Sequence, residues 1–473
     1  MNKENNEFSK SMSMTDVLFL SMGAMLGWGW VVLSGDWISH AGFLGTAIAF
    51  GLGGLLVIFI GLTYAELAAA IPETGGGMVF VLRAFPRKRN LSYLAAWSVL
   101  FGYVSVITFE AVALPTVIDY IIPVNHQGYM WSLSGFDIYV TWALIGSVGA
   151  LVLTSLNFFG IKPATIAQNV LTAVVVLIGL VLVFGGFGNG NTEHLQPLFG
   201  EGIGGIMTVL IMIPFLFVGF DVIPQIASEV KAPPKFIGRI LIISIIVAII
   251  FYILIAFGVA VGLAPAELMA SSLATADAMG NLFNSQAFAN IIVIAGVAGI
   301  ITSWNAFIIG GSRILYAMAI RDMIPKWFAY IHPKFNTPTN SIIFLGLLGF
   351  FAPLLGHSAL NWFVNAGGIG IVLGYLIVSV SFLKLRKSEP ELTRPYKIRY
   401  WKATGILAIL LSILFISFYM PGMPSSLVWP IEWLIVGGWY LIGMTLYLIG
   451  RSKFQSSEMH YKARDRKQKT SGN

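Results

Sequence analysis

The fold turns on the stretch Gly23-Ala24-Met25-Leu26-Gly27-Trp28-Gly29-Trp30. Its glycines sit in the middle of an apolar run, from about 14 to 40, that is long enough to cross a bilayer. Each glycine costs a helix about 1 kcal/mol relative to alanine, so the cluster invites the helix to break. In hydrocarbon a break is tolerated only where the freed backbone groups face protein, water or a bound solute. The stretch therefore reads as a broken membrane helix whose freed groups form a binding site.

Working outward, the composition fits this reading. The chain has 473 residues, 57% hydrophobic and 10% charged, with a mean hydropathy of +0.83. Soluble domains carry about 25% charged residues, so this chain is solvated by lipid. It has no cysteine, which excludes a disulfide framework, a thiol nucleophile and a thiolate metal site. Lys3, Glu4, Glu7 and Lys10 make the start polar, and no small-residue cleavage site follows. The first apolar run is thus expected to be a retained helix, not a signal peptide.

A window of about twenty residues marks twelve spans. The first five lie near roughly 14–40, 43–70, 91–121, 137–157 and 165–186. The second five lie near roughly 203–228, 238–263, 288–319, 340–356 and 359–383, and a final pair near 402–420 and 428–449. Basic residues gather in alternate loops: Arg83 to Arg89, Lys162, Lys231 to Arg239, Arg321 to Lys334, and Lys384 to Lys402. The tail from Arg451 is basic too, and Arg313 is expected to snorkel to the same face. The opposite loops hold acids and histidines, among them Asp36, His40, Asp119, His126, Glu193, His194, Glu267 and Asp277. By the positive-inside rule both termini are cytoplasmic. The net charge of +7 then reports orientation and contact with anionic lipid, not nucleic acid.

The sixth span carries Pro214-Phe215-Leu216-Phe217-Val218-Gly219-Phe220-Asp221. The proline removes a helical amide and Gly219 follows, so a second mid-membrane break is expected there. Interrupted helices at matching places in two five-helix halves point to an inverted-repeat transporter. The expected organisation is a cytoplasmic segment 1–13 and five-helix repeats over 14–186 and 187–383. A cytoplasmic loop with the last two helices follows over 384–450, then a basic cytoplasmic tail over 451–473.

Four blocks carry a resemblance to the amino acid–polyamine–organocation (APC) superfamily. Gly23 to Val31 resembles its helix 1 pattern, G-x-x-x-G-S-G-I-F. Tyr64 to Gly77, followed by Arg83-Ala84-Phe85, resembles the end of helix 2 and the next loop. Phe217 to Asp221, with Glu229 to Pro233, resembles the helix 6 block. Ser312 to Met318, with Arg321-Asp322, Pro325, His332-Pro333 and Thr337-Pro338, resembles the end of helix 8. The resemblance implies an all-α polytopic membrane protein with a leucine-transporter-type 5+5 inverted repeat plus two C-terminal helices, helices 1 and 6 being broken. It further implies that the amides of Gly27, Trp28 and Gly29 hold a substrate carboxylate. The carbonyls of Met25, Phe215 and Val218 would accept from its amino group, with Ala24 and Gly219 in the same breaks. Trp28 stands where the family has serine, so a backbone donor survives there and a hydroxyl does not.

Asp221 and Glu110 are embedded carboxylates, costly in a membrane and read as gating or coupling groups. For Asp221 the bland alternative is a cap that accepts from amides two or three residues on; for Glu110 it is a protonated acid bonded to a neighbouring helix. Glu66 and Glu229 read as interfacial ion pairs or gate latches, and Asn157 and Lys162 as loop chemistry. Some proton-coupled relatives place a lysine in helix 5, but Gln168 to Val176 holds none. Proton coupling would then fall to Asp221 or Glu110; sodium at Thr302 or Ser303, or solute exchange, are the other routes. Trp304, Asn305 and Phe307 read as packing.

The function expected is an amino acid carrier working by alternating access, with an amine or polyamine carrier as the alternative. No cofactor or metal is expected. A membrane enzyme would need clustered His, Asp or Glu, and the six histidines form no HExxH-like pair. A channel would pass ions without saturable binding.

Overall fold

The structure, a computed structural model, describes residues 10–271 and 273–470, with side chains except at 121, 161–163 and 452–470. The side chains of Lys162 and of the basic tail beyond Arg451 therefore lie outside the described residues. The chain enters through α1 (Met14–Met25), breaks, and resumes in α2 (Gly29–Val32) and α3 (Ser34–Ala70). Then come α4 (Gly77–Ala84), α5 (Arg89–Ile121), the hairpin β1 (Tyr129–Leu133) and β2 (Phe136–Tyr139), α6 (Val140–Phe158) and α7 (Ile161–Asn189). The second run is α8 (Gly202–Phe217), α9 (Val222–Gln225), α10 (Pro234–Gly262), α11 (Pro265–Ala270), α12 (Ala274–Phe283) and α13 (Gln286–Ile320). It closes with α14 (Thr339–Phe351), α15 (Ala359–Ser388), α16 (Trp401–Phe418) and α17 (Ile431–Thr470).

Both expected breaks are present, between α1 and α2 and between α8 and α9. Eleven helices among the described residues are long and apolar enough to cross a membrane. The ninth expected span differs: α14 ends at Phe351 and a 3₁₀ turn over Ala352–Leu355 completes a shorter apolar segment. Pro353 lacks the amide an α-helix needs there, and Gly356, at φ +73°, turns the chain away. At the other end, α17 continues past the expected edge near 449 as helix to Thr470. Hydropathy did not mark α4, α11, α12 or the β-hairpin, which are short elements between spans.

The first two spans run together as α3, and their boundary is Gly42, at φ +65° and ψ 172°. A side chain there would meet the carbonyls of Pro197 and Leu198 at 2.5 Å. Leu198 O instead accepts from the amides of Leu44 (3.1 Å) and Gly45 (3.2 Å), so a distant loop seals the turn.

In the packing, α3 lies along α10 and α8, α5 along α15 and α13, α6 along α14, and α1 along α7 and α10. Ion pairs tie the basic loops to one another at one end: Arg83–Glu389 (2.8 Å), Arg321–Glu73 (3.4 Å) and Arg386–Glu66 (2.5 Å). The acid- and histidine-bearing loops meet at the other, through His40–Glu201 (3.0 Å) and Tyr120–Asp277 (3.1 Å).

Gly42→Ala is expected to destabilise the protein by more than about 1 kcal/mol, because it adds left-handed strain to a backbone clash. Gly51→Ala, on an open helical face with nothing within 4 Å, is expected to be neutral or stabilising. Thermal unfolding of the detergent-solubilised variants reads both, and equal midpoints would contradict this account of the turn.

Candidate functional site

The two breaks meet at the centre of the helical bundle. Gly219, at φ +132°, approaches so closely that a Cβ would lie 2.6 Å from the Cβ of Ala24 and 3.1 Å from the Met25 amide nitrogen. On the other side Gly299 of α13 sits where a Cβ would be 2.7 Å from the Gly27 carbonyl. Glycine at both positions lets backbone face backbone, which is what exposes polar main-chain groups to one another and to a solute.

The helix 1 break leaves several amides without helical partners. Leu26 N still donates to Met22 O (2.8 Å), but Gly27, Gly29 and Trp30 reach no acceptor among the described residues. Trp28 N points at Glu110 Oε1 (3.4 Å). The Ser303 hydroxyl donates to the same oxygen. Glu110 is buried, and its Oε2 has no partner. Helix α5 thus delivers a carboxylate to the expected carboxylate cradle, a placement that hydropathy cannot reveal. Gly27 makes room for it, since a Cβ there would lie 2.6 Å from Glu110 Oε1.

On the carbonyl side, the Tyr252 hydroxyl of α10 bonds Met25 O and lies 3.2 Å from Leu216 O. It links the two breaks directly. Sequence reasoning missed this residue, because one tyrosine in an apolar span carries no local signal. The Trp28 indole fits a notch in α13, where a Cβ on Gly296 would be 1.8 Å from its ring. The Nε1 atoms of Trp28 and Trp30 are buried without partners.

Asp221 does not cap the half-helix that follows it. Its Oδ1 accepts from Gly219 N (3.0 Å), two residues earlier, and its Oδ2 from Tyr103 Oη (2.9 Å). Beside it, Tyr64 packs on Phe220 and Tyr375, with ring centroids 5.7 and 5.5 Å apart. Asn157 is not a loop group: it is buried, and donates to Asn305 Oδ1 (2.9 Å). Asn305 in turn donates to Gln168 Oε1 (2.8 Å), in the lysine-free stretch of α7. The Thr302 hydroxyl bonds Gly299 O (3.0 Å). Trp304 and Phe307 are packed as expected, Phe307 against Tyr103.

Every residue from Leu20 to Val31 and from Ile213 to Ala227 is buried, so the breaks are closed to both sides. At the acid-bearing end Thr275 Oγ1 donates to Val31 O (2.9 Å) and pairs with Ser34 Oγ (2.5 Å). At the basic end Met12 bridges to Val230, and Ser11 and Met12 donate to Glu229 O (2.9 and 3.1 Å). Glu66 and Glu229 both form ion pairs, as expected, but buried ones. Glu66 takes Arg386 and Arg394 (3.1 Å). Glu229 takes Arg313 in a two-pronged contact of 2.9 and 3.3 Å. Arg313 therefore does not snorkel to the interface: its side chain is 2% exposed, held inside by that carboxylate.

Removing one member of a buried ion pair leaves the other uncompensated, at a cost of about 3–5 kcal/mol. Arg313→Ala is expected to lose that much stability, and the Arg313→Ala/Glu229→Ala double variant to recover part of it. A denaturation cycle over the four proteins measures the coupling, and additive losses would refute it.

The family described as amino acid permeases matches residues 12–443. A branched-chain amino acid permease of Bacillus subtilis (strain 168) is 26% identical, over 92% of this chain and 91% of its own length. A methylthioribose transporter of the same organism is 23% identical, over 94% of each chain. An aspartate–proton symporter, again from Bacillus subtilis, is 28% identical over 95% of this chain and 85% of its own.

Proposed function

Because the chain belongs to the amino acid permease family, a family of membrane transporters rather than enzymes, we propose that it moves an amino acid across the cytoplasmic membrane by alternating access. The observation that carries the reading is the set of buried, unpartnered amides of Gly27, Gly29 and Trp30 where the two breaks meet. Amides at the start of a half-helix, with its positive dipole end, suit an α-carboxylate. With them we assign Ala24, Met25, Trp28, Phe215, Val218 and Gly219 to the substrate site, and Glu110 and Asp221 to coupling or gating.

The arrangement proposed is twelve helices, in repeats over 14–186 and 187–383 with a C-terminal pair over 384–450. The packing supports it. Taking α3, α5 and α6 as spans 2 to 4 and α10, α13 and α14 as spans 7 to 9, each packs on its counterpart five spans on. Likewise α7 on α13 mirrors α15 on α5, and α1 on α7 mirrors α8 on α15. Such pairing is what a two-fold axis in the membrane plane requires. Basic loops at one end support cytoplasmic termini and contact with anionic headgroups. The cycle is read as proton-coupled or as exchange. Sodium at Thr302 and Ser303 has less support, because their hydroxyls already bond Gly299 O and Glu110.

A second reading, an amine or polyamine carrier, draws on the unpartnered Oε2 of Glu110, which an ammonium group would satisfy. Uptake into proteoliposomes of each amino acid and its decarboxylated amine separates the two. Saturable uptake of an amino acid with little of its amine is expected; preference for the amine overturns the leading reading. Trp28→Ser is expected to change the rank order of substrates accepted, since it empties the notch at Gly296 beside the cradle. An unchanged order would mean that the indole serves packing alone.

A further inference from the structure

We propose that Glu110 couples transport to protons by competing with the substrate carboxylate for the Trp28 amide. The inference rests on the reading of residues 27–30 as a carboxylate cradle. In the closed structure that cradle already holds a carboxylate, the protein's own. Glu110 Oε1 takes the Trp28 amide and the Ser303 hydroxyl, while Oε2 is buried and bare.

What surrounds Glu110 narrows its chemistry. From α13 come the hydroxyls of Ser303 and Thr302, and from α10 the phenol of Tyr252, held on Met25 O. Tyr252 is the ionisable neighbour recorded for Glu110, and among the described residues no Lys, Arg, His, Asp or second Glu forms an ion pair or hydrogen bond with it. His357 meets α5 farther along, at Thr116 (3.1 Å). Asp221 differs, because each of its oxygens has a donor, Gly219 N and Tyr103 Oη.

Two carboxylates cannot both stay ionised on one amide. Substrate entry is therefore tied to protonation. When the site opens, hydronium gives its proton to a Glu110 oxygen and becomes water. The neutral acid no longer holds the amide against an anion, and the substrate carboxylate takes the place. After release on the far side, Glu110 returns its proton to water there, forming hydronium, and the carboxylate resumes its place on Trp28 N. One proton crosses with each substrate molecule.

The test begins with a thermal-shift screen of the twenty common L-amino acids on the purified full chain at pH 5.5. Stabilisation by none of them overturns the amino acid reading, and this inference with it. For the strongest binder, the apparent Kd of the wild-type protein is expected to weaken up to tenfold per pH unit on the alkaline limb. In Glu110→Gln the profile should be flat. Counterflow exchange should persist in that variant, while substrate-driven acidification of pyranine-loaded proteoliposomes is lost. Asp221→Asn should keep the slope. Should Glu110→Gln fail to fold, Ser303→Ala decides: it keeps the carboxylate and should move the midpoint of the profile without removing the slope. A flat wild-type profile, a slope surviving in Glu110→Gln, a slope abolished by Asp221→Asn, or a midpoint unmoved by Ser303→Ala overturns the proposal.

Discussion

A main-chain amide or carbonyl held away from water must find a partner, and the interior of this protein is organised around the few that have left their helices. Breaking α1 at residues 26–28 and α8 at 218–221 frees groups at the depth where none can reach solvent. Much of the polar chemistry nearby serves them. Glu110 answers the Trp28 amide, Asp221 the Gly219 amide, Thr275 the Val31 carbonyl and Tyr252 the Met25 carbonyl. The amides left over, at Gly27, Gly29 and Trp30, are the ones a solute can claim.

The two closures differ in kind. Toward the acid-bearing end the seal is a few neutral hydroxyl bonds from Thr275 and Ser34, each worth about 1 kcal/mol net. Toward the basic end it is backbone pairing of Ser11 and Met12 with Glu229, backed by the buried Arg313–Glu229 and Glu66–Arg394 pairs. Opening the second face means separating desolvated charges or moving them as a block, so the two faces are not mechanically equivalent.

The spans, both breaks, the one-sided distribution of basic loops and the pairing of Glu66 and Glu229 were all legible in the sequence. They follow from features local to the chain: apolar length, glycine and proline, and charge between spans. What stayed hidden depends on residues far apart in sequence. Nothing near Glu110 says that its side chain ends at Trp28, and nothing near Arg313 says that a carboxylate awaits it inside. Asn157 looked like a loop residue because its partners, Asn305 and through it Gln168, lie on other helices. The shortened ninth span shows the converse limit: a hydropathy window counts apolar residues and passes over Pro353, which ends the α-helix early.

The Tyr252 hydroxyl has a single proton and two carbonyls within reach, Met25 on one broken helix and Leu216 on the other. A hydrogen bond tolerates only a few tenths of an ångström before it weakens. Sliding one break past the other would strand a carbonyl in hydrocarbon, whereas shifting both together leaves the phenol undisturbed. The crossing of α1 and α8 therefore behaves as one stiff joint, and the compliance needed for motion must reside where that joint meets its neighbours.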